Sequence, residues 1–151
     1  MGFISLPCLE GCMGLRAFIH ALTAPPVDVA PIPDGDLKLV CIVNHGLKMG
    51  KGKLAAQVGH ASVSATLDCI KRNPSTFEAW KAQGQRKVVV KAQDAEEMEI
   101  IANGAVDGGI PVTRIRDAGR TQIPSGSLTV IGLGPAEEGE LDILTGHLKL
   151  L

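Results

Sequence analysis

The spacing of apolar and polar residues divides the chain near residue 37. Before that point, Met1 to Leu22 is apolar but interrupted by Pro7, Glu10, Gly11, Gly14 and Arg16. It is too broken for a membrane span and reads as a membrane-touching or organelle-targeting stretch, or as a short helix packed on the domain. Thr23 to Asp36 carries Pro25, Pro26, Pro31 and Pro33 and reads as an extended linker. From residue 37 to 151 the pattern becomes regular enough for one folded domain. Leu37 to Val43 is a continuous apolar run, as in a strand covered on both faces. After a Lys/Gly-rich loop a helix is predicted over roughly 51–72. Leu54, Val58, Ala61, Ala65 and Cys69 recur on its apolar stripe, and Lys53, Gln57, His60 and Ser64 on a neighbouring polar one.

Asn73-Pro74 breaks that helix. Ser75 to Gln83 predicts a second one, with Ser75 as N-cap and Glu78 completing a capping box. Lys87 to Lys91 is a second strand. Asp94 caps a third helix over roughly 95–107, which turns Met98, Ile101 and Ala102 inward and stops at Gly108-Gly109. Val112 to Arg116 is a third strand, Asp117 to Gly126 a polar loop, Leu128 to Leu133 a fourth strand, and Glu137 to Leu144 a closing helix. The order β-α-α-β-α-β-β-α predicts an α/β fold, a four-stranded mixed β-sheet with helices packed on both faces.

Composition sharpens the picture through charge. The net charge is only −1, yet residues 37–93 hold ten Lys/Arg against two Asp/Glu, and residues 94–151 hold four against ten. A basic half of this kind suits a polyanion. Aromatics make up 3% of the chain and tyrosine is absent, so a base-stacking platform for single strands is disfavoured. Cys8, Cys12, Cys41 and Cys69 lack zinc-site spacing and read as free thiols of a reducing compartment.

The candidate chemistry lies in two loops. Gly46-Leu-Lys-Met-Gly50-Lys51 fails as a P-loop: it is one residue short, and Gly52 stands where a Mg²⁺-holding Ser or Thr belongs. There is no HExxH motif, paired-histidine spacing or serine elbow, so no metal or cofactor is expected. Lys48, Lys51 and Lys53 crowd the start of the first helix without any acidic residue, the wrong sign for its macrodipole unless an external anion binds there. Asp117 stands at the end of the third strand, where open α/β sheets place ligands, and Arg120, Thr121 and Gln122 follow it. If the first and third strands run parallel, the two loops meet at one rim. If its carboxylate projects from the loop, replacing Asp117 is expected to change stability little; if it braces the loop, stability and activity are expected to fall together. An isolated histidine such as His60 or His147 is more often structural than basic.

Lys48-Met-Gly-Lys-Gly-Lys-Leu-Ala-Ala-Gln57-Val-Gly-His60-Ala resembles the signature of the type 2 peptidyl-tRNA hydrolases of archaea and eukaryotes. Gly84 to Lys91, Asp117 to Gln122, Gly132 to Pro135 and Thr145 to Leu151 continue the resemblance in order, over residues 37–151. Asn44-His45-Gly46 departs from a commoner Arg-x-Asp. The resemblance implies hydrolysis of the ester between a peptide and the tRNA 3′-terminal ribose, without a cofactor, by a protein that is often a homodimer. It implies Lys53, Asp117 and Thr121 as catalytic residues, with Thr129 a further contributor; Gln57 and His60, on the polar stripe of the first helix, are candidate contributors from their position and not from the resemblance. Lys48, Lys51, Lys87, Lys91 and Arg120 would hold tRNA phosphates. A cytoplasmic protein is expected, with mitochondrial association a second address. The rival readings are a non-catalytic partner in cell-death signalling, to which eukaryotic relatives are also linked, and a tRNA-binding module without turnover.

Overall fold

The computed structural model describes residues 35–118 and 123–151. Residues 1–34, which carry the targeting and linker expectations, lie outside that range, as do Arg120 and Thr121. Among the described residues no helix is long and apolar enough to cross a membrane.

The apolar run becomes strand β1 (Leu37–Asn44), buried at every position. Its side chains alternate between two cores. Leu37, Leu39, Cys41 and Val43 face one with Ala61, Ala65 and Trp80, while Val40 and Ile42 face the other with Met98, Ile101 and Leu141. Each fully buried aliphatic side chain contributes about 1.5–3 kcal/mol. Helices α1 (Lys51–Arg72) and α2 (Pro74–Ala82) cover the first face, and α3 (Ala95–Asp107) and α4 (Glu138–Thr145) cover the second. Lys38 is the one polar residue of β1 directed at α4. Its ammonium lies 2.6 Å from Asp142 and 3.3 Å from Glu138, and Glu138 in turn meets Arg86 at 2.6 Å.

The sheet has five strands, not the expected four, in the order β3 (Val112–Arg116), β4 (Leu128–Glu137), β1, β2 (Lys87–Ala92), β5 (Lys149–Leu150). The extra strand is a two-residue extension after α4 that pairs antiparallel with β2, too short to produce a periodicity. Strand β4 also outruns its expected end at Leu133. Pro135 has no N–H to donate, and it is accommodated where the β1–β4 register shifts between Lys38 and Val40. The α2 capping box is not formed: Asn73 is the N-cap, its side chain accepting from the Thr76 N–H, and Pro74 occupies the first turn, where no donor is missed. The Asp94 cap forms as expected, accepting from the Glu97 N–H at 3.0 Å.

Strands β1 and β3 are each antiparallel to β4, and therefore parallel to one another. Val43, Val130 and Ile115 lie in one row across the three strands. The chain leaving β1 and the chain leaving β3 thus emerge at the same rim.

Candidate active site

At that rim β1 ends in Asn44, which is buried and donates from Nδ2 to the Leu128 carbonyl at 3.0 Å, tying β1 to the start of β4. A short 3₁₀ turn (His45–Leu47) follows and closes with Lys48 in the left-handed region at φ 46°. Gly46 is required in this turn, because a Cβ there would come within 2.7 Å of the Gln93 carbonyl oxygen. Gly50 then caps α1 without a side-chain bond, and the first turn contains no acidic residue.

The two loops meet through one ion pair. Lys53 Nζ lies 2.7 Å from Asp117 Oδ1, with the side chains 17% and 5% exposed. One of the three lysines therefore finds its anion inside the protein, while Lys48 and Lys51 remain exposed on the approach. Backbone bonds close the loop above Asp117: its N–H donates to the Ser127 carbonyl and its carbonyl accepts from the Gly126 N–H, both at 2.9 Å. Asp117 is thus a buried residue and does not project from its loop.

The pair lines an open cleft of about 600 Å³ between α1 and the edge strand β3. The whole polar stripe of α1, Lys53, Gln57, His60 and Ser64, faces it. Thr129 lies beneath, fully buried, with its hydroxyl 2.8 Å from the Gln57 side-chain oxygen and 3.0 Å from the Ile115 carbonyl. One hydroxyl proton cannot serve two acceptors. Turning the Gln57 amide so that its NH₂ donates to Thr129 satisfies both contacts. Thr129 therefore fixes the orientation of Gln57 and has no exposure of its own to a ligand.

The remaining expected residues fall in different places. Lys91, paired with Val43, is on the same rim, in a second cleft of about 360 Å³ that also contains His45, Gln93, Glu97, His147 and Lys149. Lys87 stands at the other end of β2, beside Leu39. Its ammonium lies 4.6 Å from the Trp80 ring centroid and donates to the Gln85 carbonyl, which separates it from the group at the rim. Arg114 and Arg116, which line the main cleft, were not anticipated. Their alternation on β3 was visible in the sequence, but the sequence does not show which face of that strand borders a cleft.

The two cysteines among the described residues do not enter this chemistry. Burial pushes the thiols of Cys41 and Cys69 above their ordinary value of 9.0, against the weaker lowering of Cys41 by Ser62 and Lys87, so both are neutral and unreactive near neutrality. Among the described residues no group of His, Cys, Asp and Glu could hold a metal ion.

Residues 37–151 match the protein family described as peptidyl-tRNA hydrolase PTH2. The chain is 45% identical over 115 residues to a protein named peptidyl-tRNA hydrolase from Methanocaldococcus jannaschii, across 76% of this chain and 100% of that one. It is 46% identical over 114 residues to the protein of that name from Thermococcus onnurineus, across 76% and 97%. With the protein named peptidyl-tRNA hydrolase 2, mitochondrial, from Homo sapiens it shares 49% identity over 116 residues, across 77% of this chain but 65% of the relative's length.

Proposed function

The chain belongs to the peptidyl-tRNA hydrolase PTH2 family, and from that premise we propose that it cleaves the ester joining a peptide to the 3′-terminal ribose of tRNA, releasing both, with Lys53, Asp117 and Thr121 as its catalytic group. The observation that carries this reading is the 2.7 Å Lys53–Asp117 pair at the junction of the two loops, in the wall of an open cleft.

Ester hydrolysis needs an oriented water and a stabilised oxyanion. The Asp117 carboxylate orients the attacking water and takes its proton, a role worth about 10²–10⁴-fold in rate. The carbonyl oxygen becomes negative as the tetrahedral intermediate forms, and the Lys53 ammonium and the Thr121 hydroxyl supply the compensating charge and hydrogen bond; collapse then breaks the bond to the ribose oxygen, which leaves with the proton that Asp117 took from water. Gln57, held by Thr129, and His60 border the same space and contact the ester's surroundings. Lys48, Lys51 and Arg120, with Lys91 further along the rim, hold backbone phosphates. Such contacts carry no sequence information and weaken with salt.

Incubation with a peptidyl-tRNA, followed by separation of free from esterified tRNA, tests this. Turnover in the native chain, lost in Asp117→Asn, is expected. Binding of the tRNA without turnover would leave a tRNA-binding module, and neither binding nor turnover would leave a protein-interaction role. For the compartment, the name of the human relative motivates a mitochondrial association, to be tested by fractionation of the full chain.

A further inference from the structure

Arg114 and Arg116 project from the same face of β3 and share one counter-charge, Glu99 of α3. They use it differently. Arg116 bonds Glu99 Oε1 at 3.4 Å and the Gly126 carbonyl at 3.1 Å, so both its terminal nitrogens are engaged and the guanidinium braces the end of the loop that begins at Asp117. Arg114 bonds Glu99 Oε2 through Nε alone, at 2.9 Å. Among the described residues, neither of its terminal nitrogens has an acceptor. The side chain is 32% exposed and leans toward Glu99 of α3 at the open edge of the sheet, and Arg114 is among the residues that border the cleft containing Lys53 and Asp117.

Held at Nε, the guanidinium presents its outer two nitrogens as a preorganised fork, which matches the paired oxygens of a phosphate. Because the stem is already fixed, little side-chain entropy remains to be lost when an anion arrives. Glu99 cancels one of the two arginine charges, leaving one net positive charge at this edge of the cleft. Asp117, the acidic residue among the cleft's described lining, is already paired with Lys53.

We propose that Arg114 is a substrate-binding residue that grips a phosphodiester of the last few nucleotides before the scissile ester, with Glu99 as the residue that positions its fork. This rests on the hydrolase reading above. The substrate's chemistry selects the ligand, because the peptide brings no obligatory anion near the ester whereas every nucleotide brings one. Spacing agrees: three residues of extended strand separate Arg114 from Asp117, about 10 Å, so a phosphate at Arg114 belongs to the 3′ end of the tRNA and not to a distant stem.

The test compares peptidyl-tRNA with a peptidyl ester of adenosine, which has the same ester but no phosphodiester. In Arg114→Gln the ratio of kcat/KM for the two substrates falls about tenfold, mainly through KM, and the salt slope of tRNA binding drops by about one contact. Arg114→Lys, which keeps the charge and loses the fork, falls between. Glu99→Gln keeps an oxygen acceptor for Nε, so the fork stays positioned, and removes the negative charge behind it, so its ratio holds or rises. An unchanged ratio in Arg114→Gln, or a fall in Glu99→Gln matching it, would overturn the proposal, the latter because the ion pair would then be structural only. Titration with deacylated tRNA reads the same contact without turnover. An inactive native chain would therefore sink the hydrolase reading and leave Arg114 to be decided by affinity.

Discussion

Replacing Asp117 with asparagine keeps the shape of the side chain and removes its charge. The structure makes this costly in two separable ways. Lys53 is only 17% exposed and loses the carboxylate 2.7 Å away. Removing one partner of a fully buried ion pair costs about 3–5 kcal/mol. Lys53 keeps some access to water, so roughly 2 kcal/mol is the better figure. For a domain of this size that lowers Tm by roughly 10 °C. Turnover falls independently by about 10²–10⁴-fold if the carboxylate takes the proton from water. The assay is single-turnover cleavage of peptidyl-tRNA with a thermal melt on the same sample, at a temperature where the variant is still folded. Lys53→Met in the Asp117→Asn background separates the two effects. With the Lys53 ammonium also removed, stability should recover by about 1–2 kcal/mol while activity stays low. If Asp117→Asn melts like the native protein and cleaves at its rate, both roles are wrong. A double variant that melts below Asp117→Asn would refute the ion-pair argument alone.

Thr129→Val, nearly isosteric, removes the hydroxyl between Gln57 and the Ile115 carbonyl and should cost about 1–2 kcal/mol in urea unfolding; an unchanged midpoint would mean that these contacts carry no weight. The hydrogen bond from Arg86, with Lys38 beside it, holds the Glu138 carboxyl below its ordinary 4.5. A lowered carboxylate stabilises above its unfolded value and loses that contribution as pH falls through its folded one. Glu138→Gln should therefore flatten the fall of Tm below about pH 4.5, and an equally steep fall would count against the bridge. With Cys8 and Cys12 replaced by serine, no thiol should react with a disulfide reagent until denaturant is added, because Cys41 and Cys69 are buried and protonated; reaction in the native state would show local opening.

Much of the site was legible because helical periodicity is strict. The stripe of Lys53, Gln57, His60 and Ser64 could be read from spacing alone, and all four residues line one cleft. The meeting of the two loops followed from strand direction, which the shared neighbour β4 supplies. The failures have local causes. Two extended residues at Lys149 and Leu150 carry no period, and Asn73 outcompetes Ser75 as a cap because Pro74 can occupy the first helical position. Lys87 and Lys91 look equivalent in sequence, yet a strand places them at opposite ends, one on Trp80 and one at the rim. Arg114 gains its importance from Glu99, fifteen residues earlier and on another element, and no pattern within β3 announces that pairing.

Strand β4 lies between β1 and β3, although it is translated after both. The partners at its far end, Leu37 and Glu137, and the neighbouring ion pair at a separation of 100 residues, cannot meet until almost the whole domain has been synthesised. At about 5–20 residues per second, the nascent β1 waits on the order of five to twenty seconds with that side of its backbone bonded only to water and its apolar side chains only partly covered. Contacts of such long range slow folding. The same arrangement makes the cleft all-or-none. Until β4 is inserted, the ends of β1 and β3 share no rim, and a partly made chain has no cleft in which to hold a substrate.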